Sequence, residues 1–414
     1  MRLMNIYSIK RINPRILSWA LYDVANTLFS MNIVSLYFAL WAVNVIGIDD
    51  ALYGNVNAFS MLMVFMLAPF LGALSDQSNR RIPFLAITAF LCSIFTLFLG
   101  VGGIFVSLMV FAAANFMAQS GLIFYDSLLP TVSNARNVGK VGSFGIGIGY
   151  IGSFLGIAMG IWLLEIIGYV GLFRLTAVIY FIFTIPCFLF VRDVGGRPLK
   201  LNFNVMKKAW LQTMETIANT SRFPGLRTFL ISRVFYADAV NTLLIFIGIY
   251  VTNDIGLSQT QVQGALLVAI ASSMISCFVW GAIVDRYGPK RILKSVLLLW
   301  MLVLVLMFAI PVLNLPIAVF WVTMNLGGIA LGGTWSSDRP FLLILSPDQY
   351  VGGFFGLYSM VGRFSSVGGP FIWGFVSHTL NLGRPASVLV LLVFVIISFA
   401  LLSKIKDRSP LIRN

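Results

Sequence analysis

The stretch Gly72-Ala-Leu-Ser-Asp76, followed by Arg80-Arg81, decides the fold because the chain contains it twice. Its second copy is Gly281-Ala-Ile-Val-Asp285, followed by Lys290-Arg291. Each copy comes directly after an apolar run long enough to span a bilayer, which takes about 20 residues in a helix. A segment that recurs together with its surroundings indicates that one structural unit occurs twice. We therefore predict a membrane protein built from two copies of one unit.

Two more pairs of segments keep the same order and nearly the same separation along the chain. Asp23-Val-Ala-Asn-Thr-Leu28 recurs as Asp238-Ala-Val-Asn-Thr-Leu243, and Val141-Gly142 recurs as Val351-Gly352. Repeats that run in the same direction through the membrane are related by an axis along the membrane normal. Together, the three pairs predict two parallel six-helix units around such an axis.

The composition requires a bilayer as the solvent of this chain. Of its 414 residues, 59% are hydrophobic and only 10% are charged, whereas a soluble domain carries about 25% charged residues.

The predicted fold class is an all-α membrane protein with the major facilitator fold, in which twelve transmembrane helices form two pseudo-symmetric six-helix bundles. The predicted spans are 17–42, 54–74, 83–101, 104–127, 142–165, 170–191, 225–250, 261–283, 291–311, 315–336, 353–376 and 385–404.

The basic residues set the orientation. The chain has 28 basic and 14 acidic side chains, a formal net charge of +14. Of the 28 bases, 24 fall in the two tails, the central polar segment and every second loop, and Arg339 is assigned to one of these loops. The alternate loops contain almost no bases, with Arg384 as the exception. By the positive-inside rule, we predict a multi-pass protein of the cell membrane with both termini cytoplasmic. The charge excess therefore reflects topology, and we expect no nucleic-acid partner.

The longest polar segment divides the spans six and six. The predicted domains are a cytoplasmic tail at 1–16, a six-helix bundle at 17–191, a cytoplasmic linker at 192–224, a second six-helix bundle at 225–404 and a cytoplasmic tail at 405–414. Within the linker, apolar residues recur at steps of three and four. This spacing predicts an amphipathic helix lying on the cytoplasmic leaflet or an ordinary linker helix. The recurring residues are Phe203, Met206, Trp210, Met214 and Ile217.

Longer motifs resemble one family of transporters. The duplicated loop resembles the cytoplasmic signature loop of the major facilitator superfamily, although residues 77–79 depart from its usual basic residue and glycine. The segments 19–27, 124–130 and 145–152 resemble the Unknown Major Facilitator family, which includes the fungal autophagy-related vacuolar amino-acid effluxers. This resemblance implies the export of a small solute, with amino acids as candidates.

Polar residues inside the spans are the candidates for binding substrate or a proton. An ionisable side chain near the bilayer centre costs roughly 2.5–3.5 kcal/mol on insertion scales, so such residues are usually functional. The carboxylates would bind a cationic group or a proton, and Arg363 would bind a carboxylate or balance the charge of Asp238. The alternative is a structural set of hydrogen bonds and ion pairs, which we favour for Arg233, Asp126 and Asp338. The candidates are Asp23, Asn26, Asn115, Gln119, Asp238, Asn241 and Arg363.

Two further groups of residues are predicted to control motion. Carboxylate–guanidinium contacts in the duplicated loop would latch neighbouring helices in one conformation, unless these charges only set topology. The latch candidates are Asp76, Arg80, Arg81, Asp285, Lys290 and Arg291. A small-xxx-small series in the fifth span predicts close helix packing. Its members are Gly145, Gly149, Gly152 and Gly156.

The leading functional hypothesis is a secondary transporter that works by alternating access, with proton coupling left open. The expected partners are a small-molecule substrate and the lipid bilayer, and we expect a monomer. We do not expect an enzyme, a cofactor or a metal site, since the one histidine lies in a predicted loop, the three cysteines lie in apolar runs, and no Walker motif is present. The alternatives are an exporter of amphiphilic drugs or lipids and a non-transporting membrane sensor or scaffold.

Overall fold

The computed structural model of the protein describes residues 13–48, 50–78, 80–193, 203–218, 223 and 225–406. Most of the two predicted tails, and the linker residues 194–202, 219–222 and 224, lie outside the described residues. The described chain is almost entirely helical and contains no β-strand.

The first half contains six helices. Four of them are α1 (Pro14–Val45), α2 (Asp50–Ser78), α3 (Ile82–Leu97) and α4 (Gly103–Ser127). A continuous helix of 53 residues follows, Val138–Phe190, but its backbone turns at Gly168, where φ is 66° and ψ is 176°. Because only glycine adopts this conformation readily, Gly168 separates α5 (138–167) from α6 (169–190).

The second half repeats this arrangement after a linker helix, Phe203–Ala218. Its helices are α7 (Leu226–Ile255), α8 (Gln259–Tyr287), α9 (Pro289–Val312), α10 (Ile317–Leu345), α11 (Val351–Gly374) and α12 (Gly383–Lys404). By length and composition, nine helices of the described chain qualify for a membrane crossing, with α5 and α6 counted together. The number of twelve crossings therefore stays a prediction.

Each half has its own apolar core. One cluster of buried side chains runs from Trp19 to Val191, and a separate cluster runs from Leu226 to Ile405. Between the halves, α2 packs on α11 and α5 packs on α8. Because most apolar burial lies within the halves rather than between them, each half is suited to move as a body.

Small residues allow the halves to approach closely near one end of the bundle. We call it the basic end because the loops with Arg80-Arg81 and Lys290-Arg291 lie there. On α2, Gly72 faces the carbonyl of Gly352 on α11, and on α8, Gly281 faces the carbonyl of Gly139 on α5. A Cβ atom at Gly72 or Gly281 would collide with the facing backbone.

The predicted packing glycines of α5 all face α1, which makes extensive contact with α5. A Cβ at Gly152 would collide with the backbone of Val24 and Leu28 on α1. The other three glycines face side chains of α1: Gly145 faces Trp19, Gly149 faces Asp23 and Gly156 faces Asn32. This tight packing fixes the position of Asp23, because Asp23 faces Gly149, which lies about one helical turn from Gly152 on α5.

Candidate functional site

A cavity of about 360 Å³ lies between the two halves. Residues of α1, α4, α7 and α10 line it, together with residues of α5 and α11. Two carboxylates and three guanidinium groups contribute to its wall, which is an unusual concentration of charge for a membrane interior. These residues are Asp23, Asp126, Arg233, Arg339 and Arg363.

Arg339 joins the two halves inside this cavity. Its Nε atom lies 3.2 Å from Oδ1 of Asp126 on α4, and its Nη1 atom lies 4.0 Å from Oδ2 of Asp23 on α1. All three side chains are largely buried. The assignment of Arg339 to a loop was wrong, because α10 continues to Leu345 and places this arginine within the helix.

The neighbouring residue, Asp338, holds a second arginine of the cavity. Its Oδ2 atom lies 3.1 Å from Nε of Arg233 and accepts a hydrogen bond from the hydroxyl of Tyr358 at 2.9 Å. The hydroxyl of Tyr236 also donates to this carboxylate. The guanidinium of Arg233 lies 3.5 Å from the centre of the Tyr358 ring. This cluster belongs entirely to the second half, so its ion pair moves with that half as a unit.

Arg363 of α11 is the third arginine, and it contacts an amide of the other half. Its Nη2 group donates to Oε1 of Gln119 on α4. The Nε2 atom of Gln119 in turn lies 3.4 Å from Oδ1 of Asn115. The Nδ2 group of Asn115 donates at 2.9 Å to Oδ1 of Asn57 and to Oγ of Ser60, both on α2. Among the described residues, Arg363 pairs with no carboxylate, and its buried Nε atom has no hydrogen-bond partner.

The remaining candidates divide between the cavity and the helix contacts. Asn241 lines the cavity. Asp238, which lies one turn earlier on α7, is not part of that lining, and its Oδ1 atom accepts a hydrogen bond from the backbone N–H of Gly369 at 2.7 Å. Asn26 is buried, and its side-chain oxygen has no partner in the described part of the chain. The cavity therefore holds Asp23 and Asn241, but neither Asp238 nor Asn26.

The two aspartates of the duplicated loop each contact a helix of the opposite half. Asp76 accepts hydrogen bonds from the backbone N–H groups of Gly352 at 2.9 Å and Gly353 at 2.7 Å. Asp285 accepts them from Gly139 at 2.6 Å and from Lys140 at 3.0 Å. In each case, the two donors are the second and third residues of a helix, α11 or α5. The two contacts are thus symmetric equivalents.

These carboxylates act as N-terminal caps that come from the other half. The first N–H groups of a helix have no partner within it, and its N-terminus carries partial positive charge. The residues that precede α5 and α11, Asn137 and Tyr350, make no side-chain cap of their own. Asp76 and Asp285 therefore supply the caps that these two helices lack locally.

The basic latch candidates have other contacts. Arg81 pairs with Asp76 at 3.2 Å, but this pair lies within the first half. Lys290 donates to the carbonyl of Ile405. The side chains of Arg80 and Arg291 are exposed. At the duplicated loops, the contact between the halves therefore joins a carboxylate to a helix N-terminus. The expected carboxylate–guanidinium contact is seen between Asp76 and Arg81, within one half.

Two helical halves with a charged cavity between them define a membrane transporter of the major facilitator class. Solved structures confirm the predicted fold class. The human organic anion transporter MFSD10 (TETRAN) is similar with a TM-score of 0.75 at 14% identity, covering 94% of this chain and 98% of that one. A bacterial homologue of the iron transporter ferroportin, in an outward-facing state, is similar with a TM-score of 0.73 at 15% identity, with the same coverage.

Residues 132–409 match the family described as "Vacuole effluxer Atg22 like", and the chain belongs to this family. The MFS-type transporter YxiO of Bacillus subtilis (strain 168) is 24% identical over 94% of both chains. The autophagy-related protein 22-1 of Penicillium rubens is 26% identical over 64% of this chain and 48% of that protein. The match therefore spans about half the length of the fungal relative.

Proposed function

We propose that this transporter exports a small zwitterionic solute, an α-amino acid, by alternating access to the cavity between its halves. The observation that carries the proposal is the state of Arg363, a partly buried guanidinium in the cavity wall whose buried Nε atom has no hydrogen-bond partner and which has no carboxylate partner in the described chain. Leaving a buried charge uncompensated is costly. A carboxylate on the solute would supply the missing partner. The family's description as an effluxer supports export as the direction.

Asp23 is the proposed partner for the ammonium group of the solute. It faces the same cavity as Arg363, and Arg339 approaches it only to 4.0 Å. The other two arginines of the cavity already have closer carboxylate partners, since Arg339 pairs with Asp126 and Arg233 pairs with Asp338. The cavity volume of about 360 Å³ falls at the lower end of the range for small-molecule sites, about 300–1,000 Å³. A proton on Asp23 is the alternative to a substrate ammonium, and it would make transport proton-coupled.

The caps at Asp76 and Asp285 are the proposed gate. In the conformation described here, the two caps hold the halves together at the basic end. Separation of the halves at the basic end would break all four hydrogen bonds to the helix N-termini. We propose further that the basic end faces the cytoplasm of a cell membrane, on the basis of the positive-inside rule, and that the protein works as a monomer.

A proteoliposome screen tests this proposal. Purified protein is reconstituted, and counterflow of amino acids, short peptides and amphiphiles is measured with and without a pH gradient. Arg363→Gln is expected to raise the KM for an amino acid at least tenfold, since a charged hydrogen bond is worth about 1.5–3 kcal/mol. The matched control is Arg384→Gln, because Arg384 pairs with Asp254 outside the cavity. An unchanged KM for Arg363→Gln would contradict the proposed role.

The second candidate function is export of amphiphiles, and a separate apolar groove favours it. This groove lies between α2 and α4 and has a volume of about 550 Å³. Its wall includes Phe59, Met63, Phe105, Met109 and Phe116. If the screen finds counterflow of amphiphiles and none of amino acids, this second function replaces the first.

A further inference from the structure

The linker helix Phe203–Ala218 packs one of its faces on the first half of the protein. Val205 and Ala209 are buried in a small apolar cluster with residues of α2. The hydroxyl of Thr213 lies 3.4 Å from the backbone carbonyl of Pro69, also on α2. Since the contacts repeat along the linker helix at Val205, Ala209 and Thr213, this face is held over two turns.

The position of these contacts along α2 gives the depth of the linker helix. The ring of Trp210 lies 6.1 Å from the ring of Phe70, measured between centroids. Phe70 precedes the end of α2 at Ser78 by two helical turns, or about 12 Å at 1.5 Å per residue. The linker helix therefore lies beside the last turns of α2 and not beyond the end of the bundle.

A second face of the linker helix is apolar and stays largely exposed within the part of the chain that the structure describes. Its side chains recur at steps of three and four, so they share one side of the helix, and their exposed fractions lie between 43% and 79%. They are Phe203, Met206, Trp210 and Met214. Lys207, Lys208 and Glu215 are exposed on the remaining side. An interfacial helix has this division, with an apolar face toward the acyl chains and a basic face toward headgroups.

The linker helix also reaches the cap at Asp76. The amide of Gln77 donates to Oε1 of Gln212 at 2.7 Å, and the amide nitrogen of Gln212 lies next to Gly353 of α11. Gln77 follows Asp76 directly, and Gly353 is one of the two residues whose N–H groups Asp76 accepts. Gln212 thus contacts both halves at the point where the cap joins them.

We propose that the linker helix is a binding surface for an anionic lipid leaflet at the basic end, and that its lipid-bound position stabilises the closed cap between α2 and α11. The apolar face inserts between acyl chains, and Lys207 and Lys208 meet anionic headgroups. Because Gln212 bridges the halves only while the helix lies against α2, lipid binding and closure of the basic end favour each other. The anionic lipid content of this leaflet therefore regulates the opening of the basic end.

The first test is the environment of the two faces. In the full-length protein, a fluorophore is attached to a cysteine at Met206→Cys or, as a matched control on the opposite side of the helix, at Glu215→Cys. The three native cysteines are buried, so they do not compete for the label. The probe at 206 is expected to be quenched by brominated acyl chains and the probe at 215 by aqueous iodide. Iodide quenching of equal efficiency at both positions would overturn the proposal.

The second test measures the effect of anionic lipid on the cap. The protein with Ser143→Cys, a buried position at the contact of α5 with α8, is reconstituted in phosphatidylcholine or in equal parts of phosphatidylcholine and phosphatidylglycerol. Thiol labelling is expected to be slower with phosphatidylglycerol. Lys207→Gln and Lys208→Gln should each reduce the ratio of the labelling rates in the two membranes roughly fivefold, since a lysine near an anionic surface contributes about 1 kcal/mol to binding. Equal labelling rates in the two membranes would overturn the proposal; neither test depends on transport.

Discussion

The replacement of Asp285 by Asn is expected to shift the protein toward a state that is open at the basic end. Asp285 on the second half accepts hydrogen bonds from the N–H groups of Gly139 and Lys140 at the start of α5. When the halves separate, both N–H groups exchange the carboxylate for water. Any weakening of the contact in the closed state therefore appears directly in the equilibrium between closed and open.

The size of this shift follows from the contact. Asn keeps one acceptor oxygen and loses the charge, so roughly one charge-assisted hydrogen bond is lost, worth about 1.5–3 kcal/mol net. The loss of the favourable interaction with the helix N-terminus adds about 0.3–1 kcal/mol. A total of about 2 kcal/mol corresponds to a shift of about 30-fold. Asp76→Asn should have a similar effect, and because the two caps share no residue, the double variant should approach a shift of about 1,000-fold.

Thiol labelling of Ser143→Cys in proteoliposomes is the assay, because this side chain is buried between α5 and α8 and has no hydrogen-bond partner to lose among the described residues. The labelling rate should rise with the open population. The matched control is Glu165→Gln, which removes a charge from an exposed position near the other end of α5. A rate that stays within about twofold of the parent in both single Asp→Asn variants would refute the reasoning, given the expected shift of about 30-fold.

Two further predictions concern stability. Arg339→Gln leaves the carboxylate of Asp126 buried without its cation, which typically costs about 3–5 kcal/mol. A marked fall in Tm is therefore expected, and adding Asp126→Asn should restore the Tm. A Tm that the single substitution leaves unchanged would contradict the pairing. Gly152→Ala should lower Tm because the added Cβ collides with the backbone of α1, whereas Gly248→Ala, with no atom within 4 Å of the new Cβ, should not. Equal Tm values for these two variants would exclude the close packing of α5 on α1.

The fold could be predicted from the sequence because its strongest signals recur along the whole chain. Apolar runs, the alternation of basic loops and the duplicated Gly72–Asp76 segment all report on the whole architecture. The resemblance to the autophagy-related effluxers rested on other segments, 19–27, 124–130 and 145–152.

The sequence failed where a helix contains polar residues that face other polar residues. Residues 337–340 read as a loop, yet they belong to α10 because Asp338 and Arg339 find partners of opposite charge in the interior. The depth of a residue along a helix also does not show toward which neighbouring helix or cavity its side chain points. Asp238 and Asn241, which are separated by about 60° around the helix axis, point to α11 and to the cavity respectively.

The partners of the two caps could not be identified from side-chain chemistry. The sequence lists carboxylates and guanidinium groups, and the expected contact joined them. In the folded protein, the partners of Asp76 and Asp285 across the two halves are backbone N–H groups, which every helix N-terminus exposes. Only the three-dimensional arrangement of the halves determines which N-terminus each carboxylate meets.

The measurement that tests alternating access most directly is a pair of distances between spin labels across the two halves. One pair is attached at Arg136→Cys and Arg286→Cys at the basic end, and the other at Ile166→Cys and Leu313→Cys at the opposite end, all at exposed positions. In the Asp76→Asn/Asp285→Asn variant, a longer distance should appear at the basic end together with a shorter distance at the opposite end. A longer distance at the basic end with no change at the opposite end would contradict the account, because it would mean local loosening without movement of one half against the other.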